Sequence, residues 1–338
     1  MNKSLLVSAL TASAALALPS APALANTLEP AAAAFAEAAD AGEPIYELPY
    51  ADARAVLAGV QAETVAASAA TTTQDLVWNV GPTGEVRIRI VRPADAAGEL
   101  PAVLYYHGGG WVMGDRNTHD HLIRELAVQA RAAVVFVEYD NAPEVRYPVN
   151  NEQAYAALEY VAANGSALGI DGSRLAVAGD SAGGNMAIAV TMMAKDRSGP
   201  QINHQLLFYP VTQDVSDNSS YREFGNGPFL TRKAMDYFIE ANYPAESRQD
   251  VLAFPLRASL EELTGLPAAT IIVAENDLLR DEGEAYGRRL IEAGVPVATT
   301  RFNGTIHDFV LLNPLAASEP ARAAIAQGAA RLRSAFAN

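Results

Sequence analysis

The sequence of 338 residues contains no cysteine. The chain therefore forms no disulfides in any compartment, and it offers neither a thiol nucleophile nor thiolate ligands for a metal. Stability must come from the burial of apolar side chains. Half of the residues are hydrophobic and 19% are charged, a composition that is typical of a soluble globular protein with a large core.

Positive charge is also scarce. Lysine and arginine together number 24 against 39 acidic residues, so the formal net charge is -15. Such acidity argues against nucleic acid or an anionic membrane surface as a partner. We expect a small-molecule partner. The oligomeric state stays open, and a homodimer is compatible with the sequence.

The first 25 residues have the layout of a secretory signal peptide. Lys3 carries a positive charge, residues 5–18 are uncharged and mostly apolar, and residues 23–25 (ALA) offer a small-x-small cleavage site. The apolar stretch is too short for a comfortable membrane span, and no later run is long and apolar enough. No cysteine follows to carry a lipid. We therefore expect cleavage after Ala25, a periplasmic or secreted product, and no stable membrane anchor.

The remaining chain divides into two parts. Residues 26–75 are rich in alanine and predict helix, including an amphipathic one at 51–59, and we assign them to a helical cap. We assign residues 76–338 to a main domain, in which short apolar strands alternate with helices. Strands are predicted at 76–80, 86–91, 102–106, 133–139, 174–178, 206–209, 270–274 and 297–302. This alternation predicts an α/β fold with a mostly parallel central sheet and helices on both faces. Residues 213–253 break the rhythm and predict a cap insertion.

The strongest motif is G-x-S-x-G at residues 179–183 (GDSAG). A strand is predicted before it and a helix after it, which is the context that this motif requires for a catalytic serine. Small residues on both sides let the chain turn tightly, and the helix N-terminus directs its amides to the same place. Ser181 is therefore the candidate nucleophile.

Serine is a poor nucleophile without a base. The chain has five histidines: His107, His119, His121, His204 and His307. In folds with this motif the order along the chain is serine, acid, histidine, which leaves two of them. His204 lies at the N-terminal edge of a predicted strand, the wrong end of the sheet. His307 follows a predicted strand through a loop at the correct end and is the candidate base.

The acid must orient His307 and stabilise its charged form. Asp277 comes right after a predicted strand and is our choice. Asp281 is a rival, but acidic residues follow it and it is expected to be a helix N-cap. Glu275 is a lesser rival, and Asp308 is not expected to reach the ring of its own neighbour.

Residues 107–111 (HGGGW) follow the predicted strand 102–106. Three consecutive glycines let the backbone approach a substrate and direct its amides at a developing oxyanion. The amide of Ala182 is expected to complete this site. Neither a P-loop nor a G-x-G-x-x-G motif is present, so nucleotide binding is not expected. His107 is expected to hold the loop without titrating.

The sequence resembles the bacterial hormone-sensitive-lipase-like carboxylesterases (family IV esterases), a branch of the α/β-hydrolases. The matching segments are residues 107–111 (HGGGW), 139–148 (YDNAPEVRYP), 179–184 (GDSAGG), 277–283 (DLLRDEG) and 306–309 (IHDF). The resemblance spans about residues 75–335. It implies the α/β-hydrolase fold, the same triad of serine, aspartate and histidine, and oxyanion donors at Gly109, Gly110 and Ala182.

Three departures from the family pattern stand out. Residues 278–279 are Leu-Leu where the family has Pro-Leu, and Asn141 stands where leucine is frequent. Asp308 replaces a glycine beside His307. Its negative charge is expected either to raise the pKa of that histidine or to change what enters the site.

Two further groups of residues carry weaker signals. Residues 119–121 (HDH) could suggest a metal site, but alternate residues on a helix diverge, so we expect solvated surface and no metal. Some of six aromatic residues are expected to line a substrate pocket. These are Trp111, Tyr209, Phe224, Phe229, Tyr237 and Phe238.

The resemblance implies a serine carboxylesterase that hydrolyses short-chain esters through an acyl-enzyme, without metal or cofactor. An amide, lactone or polyester hydrolase on the same triad is an alternative. A second alternative is a binding protein that has lost catalysis, which is disfavoured because all three triad residues are present.

Overall fold

The computed structural model describes residues 27–63, 69–214 and 217–337. The expected signal peptide, including the cleavage site after Ala25, lies outside the described residues. No helix in the described part of the chain is long and apolar enough to cross a membrane.

Eight strands form one sheet. In chain order they are β1 (Thr71–Trp78), β2 (Val86–Pro93), β3 (Leu100–Tyr106), β4 (Ala133–Glu138), β5 (Ile170–Asp180), β6 (His204–Phe208), β7 (Ala269–Asn276) and β8 (Val297–Ile306). Their order in the sheet is β1-β2-β4-β3-β5-β6-β7-β8. β2 pairs antiparallel with β1 and β4, and every other neighbouring pair is parallel. The predicted α/β fold with a mostly parallel sheet is confirmed.

Ten α-helices accompany the sheet within the described residues. They are α1 (Pro30–Asp40), α2 (Tyr50–Glu63), α3 (Asp120–Ala130), α4 (Val149–Asn164), α5 (Ala182–Asp196), α6 (Ser219–Phe224), α7 (Arg232–Asn242), α8 (Leu260–Leu263), α9 (Arg280–Glu292) and α10 (Glu319–Phe336). Short 3₁₀ turns lie at Ile45–Glu47, Gly165–Leu168, Ala245–Gln249, Pro255–Arg257 and Asn313–Leu315.

The sheet is buried on both faces because successive strand residues point to opposite sides. In β3, Val103 and Tyr105 join the apolar cluster formed with α3 and α10. Leu104 and Tyr106 join the larger cluster formed with α4, α5 and α9. A strand buried on both faces reads as a continuous apolar run, which explains why the pattern at 102–106 predicted it correctly.

Several predicted boundaries differ from the observed ones. β1 begins at Thr71, five residues earlier than the pattern at 76–80 indicated, because its first residues are polar and partly exposed. The predicted helix at 51–59 lies inside α2, and α1 precedes it. The residues between β6 and β7, which include the predicted insertion at 213–253, hold α6, α7 and α8.

Candidate active site

Ser181 lies in the turn between β5 and α5. Its backbone has φ 52° and ψ -119°, a conformation that L-residues rarely adopt and that stores strain. The two glycines of the motif make the turn sterically feasible. A Cβ on Gly179 would lie 2.3 Å from the carbonyl oxygen of Gly183, and one on Gly183 would lie 2.0 Å from that of Tyr106. The turn therefore accepts no side chain at either position.

The structure brings Ser181, His307 and Asp277 together in one chain of hydrogen bonds. Nε2 of His307 is 2.9 Å from Oγ of Ser181, and Nδ1 is 2.7 Å from Oδ2 of Asp277. All three residues are at most 5% exposed. The other carboxylate oxygen of Asp277 accepts the amide of Leu279 at 2.9 Å, which fixes the orientation of the carboxylate. Three strand ends thus contribute one side chain each at the same edge of the sheet.

Two local predictions about this region are wrong. β8 continues through Ile306, so His307 follows the strand directly and no loop precedes it. Asp281 is not the N-cap of α9, because Leu279 occupies that position. Asp281 instead pairs with Arg280 and accepts the amide of Ser220, which ties α9 to α6.

The glycine loop after β3 holds two amides in set directions. Burial lowers the pKa of His107 to about 3, so its ring is neutral, and Nδ1 donates to the carbonyl of Gly108 at 2.9 Å. The carbonyl of Gly109 accepts the amide of Met113 at 2.8 Å. Because C=O and N–H point in opposite directions across a trans peptide, these bonds turn the amides of Gly109 and Gly110 the other way.

The same arrangement holds the third amide. The carbonyl of Ser181 accepts the amides of Asn185 at 3.1 Å and Val211 at 3.2 Å, which turns the amide of Ala182 away from both. Among the hydrogen bonds of the described residues, none uses this amide or the two in the glycine loop as donor. The structure therefore leaves all three predicted donors open to an oxyanion.

Asp180 connects the nucleophile turn to the glycine loop. One of its carboxylate oxygens accepts the hydroxyl of Tyr105 at 2.7 Å and the amide of Gly108 at 3.1 Å, and the other lies 3.4 Å from Nε2 of His119. Burial alone would raise the pKa of this carboxyl, but His119 and Tyr105 outweigh it and hold the pKa below its usual value. The loop and the turn thus share one buried anion.

The position of His119 contradicts the expected solvated surface at residues 119–121. His119 is the N-cap residue of α3 and is fully buried, because it precedes the buried residues Leu122 and Ile123 by three and four positions and lies on the same side as they do. The motif therefore contributes to the support of Asp180. Among the described residues, no group of three or more metal-ligating side chains is assembled.

The six predicted pocket aromatics divide by location. The ring of Phe238 lies against the glycine loop, since a Cβ on Gly110 would meet its Cγ at 2.2 Å. Tyr209 packs on His307 with 4.7 Å between ring centroids, and Trp111 and Phe224 are buried. Phe229 and Tyr237 instead contact the N-terminal segment through its aromatic residues Phe35 and Tyr50.

Comparison with known proteins gives relatives along most of the chain. A family model described as the alpha/beta hydrolase fold matches residues 103–311. The carboxylesterase NlhH of Mycobacterium tuberculosis is 40% identical over 243 residues, 70% of this chain and 76% of that protein. An ethyl acetate hydrolase of Pseudomonas putida is 36% identical over 233 residues, 68% of this chain and 72% of that protein. The chain belongs to the α/β-hydrolase family.

The crystal structure of a thermostable esterase from Pseudomonas putida agrees with this assignment. It covers 92% of this chain and 98% of its own length, with a TM-score of 0.90 and 43% sequence identity. The resemblance to the hormone-sensitive-lipase-like branch of the α/β hydrolases is confirmed.

This α/β hydrolase places a second carboxylate beside its histidine. Oδ1 of Asp308 lies 3.4 Å from Nε2 of His307, so the expectation that Asp308 does not reach the ring is wrong. The residue has φ 62°, and this left-handed backbone carries its side chain back towards the imidazole. Asp277 thus lies beside Nδ1 of the ring, and Asp308 lies beside Nε2.

The two carboxylates decide the ionisation of the base. Burial alone would lower the pKa of His307, but the charges of Asp277 and Asp308 outweigh it and raise the pKa to about 9. Burial raises the pKa of Asp308 to about 6, so this carboxyl is already ionised where His307 titrates. A base must be neutral to accept a proton, and a raised pKa therefore moves its working range to higher pH.

The first prediction is that Asp308→Asn moves the acid limb of the pH profile of kcat/KM to lower pH. The amide removes a negative charge beside Nε2, so the imidazolium is less stabilised and neutral His307 is available at lower pH. We expect a displacement of about one pH unit. Ester hydrolysis measured across the pH range checks it, with the exposed Asp95→Asn as control. An unchanged limb, or one displaced to higher pH, would contradict the prediction.

Proposed function

We propose that this α/β hydrolase is a serine carboxylesterase that cleaves short-chain carboxylic esters through a covalent acyl-enzyme. The observation that carries the proposal is the hydrogen-bonded chain Ser181–His307–Asp277. It lies next to three main-chain amides that are open to an oxyanion. A nucleophile, a base that is oriented by an acid, and oxyanion donors are the parts that acyl transfer requires.

Acylation uses each part once. Oγ of Ser181 bonds to the ester carbonyl carbon while Nε2 of His307 takes the hydroxyl proton. The carbonyl oxygen becomes an oxyanion and accepts hydrogen bonds from the amides of Gly109, Gly110 and Ala182. The ester C–O bond then breaks, and His307 returns the proton to the leaving alcohol. The charge of Asp277 stabilises the imidazolium between these steps.

Deacylation repeats the sequence with water. Nε2 of His307 takes a proton from water as its oxygen bonds to the acyl carbon, and the same amides stabilise the second oxyanion. The bond from the acyl carbon to Oγ of Ser181 breaks, and His307 returns the proton to that oxygen. The carboxylic acid leaves and the enzyme is restored.

Two observations support a short acyl chain. Ser181 is only 5% exposed, and the ring of Phe238 lies against Gly110 of the glycine loop, which favours a small group next to the nucleophile. One of the relatives is named for the hydrolysis of ethyl acetate, an ester with a short acyl group. Amide, lactone and polyester hydrolysis use the same machinery and remain the alternatives to be tested.

The second prediction concerns the substrate range. We expect kcat/KM for p-nitrophenyl esters to be highest for acetate to butyrate and to fall steadily towards decanoate, because longer chains must displace the aromatic residues around Ser181. A matched panel of anilides, lactones and soluble polyester fragments should be hydrolysed more slowly. A preference for any member of that panel over the short esters would replace the proposed substrate class.

The third prediction is that Ser181→Ala lowers kcat/KM for p-nitrophenyl acetate by roughly 10⁵-fold or more. The substitution removes one buried oxygen, so the free energy of unfolding should change by less than about 1 kcal/mol. A fluorophosphonate should label the unmodified protein and leave the variant unlabelled. Retained hydrolysis in the variant would refute the nucleophile, and a protein that hydrolyses no ester and takes no label would be a binding protein.

Two segments of the chain are candidates for a cap over the site. We propose that the N-terminal helices α1 and α2 and the insertion at about 213–253 together form the cap. Supporting this, the ring of Phe35 packs on Phe229 at 5.3 Å, and the hydroxyl of Tyr237 donates to the carbonyl of Leu48 at 3.1 Å. The two parts of the chain therefore contact each other directly.

The fourth prediction concerns localisation. We propose that residues 1–25 are a signal peptide and that the mature protein acts in the periplasm or outside the cell. Supporting this, Lys3, the apolar stretch and the small residues before Asn26 have the order that a signal peptidase recognises. Expression of the full chain in a bacterium should give mature protein that begins at Asn26 by N-terminal sequencing. Ala25→Leu should impair processing, and intact Met1 on cytoplasmic protein would contradict the proposal.

A further inference from the structure

Arg54 extends from the cap helix α2 to the loop that carries the oxyanion donors. Its Nε donates to the carbonyl of Val112 at 2.7 Å, and one terminal nitrogen, Nη2, donates to the carbonyl of Ala142 at 2.8 Å. The planar guanidinium thus joins two backbone segments that are distant along the chain.

Both carbonyls belong to residues whose own amides brace the glycine loop. The amide of Val112 donates to the carbonyl of Gly109 at 3.2 Å, and the amide of Ala142 donates to the carbonyl of Trp111 at 2.8 Å. Arg54 therefore holds residues that in turn hold the carbonyls of Gly109 and Trp111, the two residues that flank Gly110.

The loop depends on such support because its backbone is strained at Trp111. Gly109, Gly110 and Trp111 have φ values of 97°, 62° and 61°, three successive residues in a region that L-residues rarely adopt. Trp111 has a side chain and takes up this conformation against a steric cost, so contacts outside the residue must hold it there. The hydrogen bond to its carbonyl from Ala142 is one of these contacts.

α2 is itself fixed at a second point, about two turns further along. The side chain of Gln61 donates to the carbonyls of Thr118 at 2.5 Å and Leu311 at 3.0 Å, and its oxygen accepts the amide of Asn313 at 2.9 Å. The helix is therefore attached to the segment that follows His307 as well as to the glycine loop. These contacts of Gln61 fix the position of the helix that carries Arg54.

The guanidinium has one further partner, the carboxylate of Glu144. The two groups form a bidentate pair with N–O distances of 3.0 and 2.6 Å, but the side chain of Glu144 is 63% exposed. An exposed ion pair contributes little by itself. The partly buried bonds to the backbone carbonyls and the exposed bond to the carboxylate can therefore be tested separately.

We propose that Arg54 is a positioning residue that couples the cap helix α2 to the geometry of the oxyanion donors. It touches none of the reacting atoms and acts through the peptides around Gly110. The inference rests on the proposed esterase function, because it assigns Arg54 a part in the stabilisation of that reaction's oxyanion.

The fifth prediction compares three variants of the full chain: Arg54→Met, Arg54→Lys and Glu144→Gln. Removal of an oxyanion donor lowers kcat about 10²- to 10³-fold. Loss of a residue that only orients such a donor should lower kcat less, and we expect a decrease of about tenfold for Arg54→Met. KM should change less than threefold. Arg54→Lys keeps the charge but holds one carbonyl at most, so its loss should be intermediate. Glu144→Gln keeps both carbonyl bonds and should retain full activity.

Two readouts separate positioning from a merely structural role. Titration with a fluorophosphonate counts folded sites, so kcat is expressed per active serine. The inhibition constant of a trifluoromethyl ketone, which forms an oxyanion on Ser181, should rise by the factor that kcat/KM falls, while that of the product acid should not change.

Three results would overturn the proposal. These are an unchanged kcat per site in Arg54→Met, a change in KM alone, and an equal loss in Glu144→Gln. If Arg54→Met does not fold, Arg54→Lys carries the same test. Failure of the proposed function is distinguishable, because the unmodified protein itself would then neither take the fluorophosphonate nor hydrolyse the ester.

Discussion

The chain can turn from β5 into α5 at Ser181 only because no side chain stands at Gly179 or Gly183. This steric constraint positions the rest of the site. It places Oγ within 2.9 Å of His307, and it places the first amide of α5 beside that oxygen. The carbonyl of Ser181 is held by amides from α5 and from the segment after β6, so the strained turn is supported from two sides.

The turn and the glycine loop are joined beneath the surface by Asp180. A buried carboxylate is costly unless its oxygens are paired, and here a hydroxyl, an amide and an imidazole surround it. His307 shows the complementary case, a buried base between the carboxylates of Asp277 and Asp308. At both sites burial destabilises the charged form, and close partners more than offset this penalty.

The sequence predicted those parts of the molecule that depend on local pattern. Apolar runs of strand length located the sheet, and the motif around Ser181 identified the turn. Chain order together with position after a strand selected His307 and Asp277. The burial of His119 and the reach of Arg54 were not predicted, because each depends on which surface another element covers. The approach of Asp308 to its neighbour's ring depends on a left-handed backbone at one residue, for which aspartate gives only a weak signal.

The oxyanion donors are main-chain amides. The direction of each amide is set by hydrogen bonds to the carbonyl of the same peptide. Four of the five bonds that set them are main-chain bonds, and the fifth comes from the buried ring of His107. The aromatic ring of Phe238 lies against the glycine loop and makes none of these bonds. Exchange of this side chain can therefore alter which ester is accepted and leave the stabilisation of the oxyanion intact. Substrate range and chemical competence can evolve separately in this enzyme.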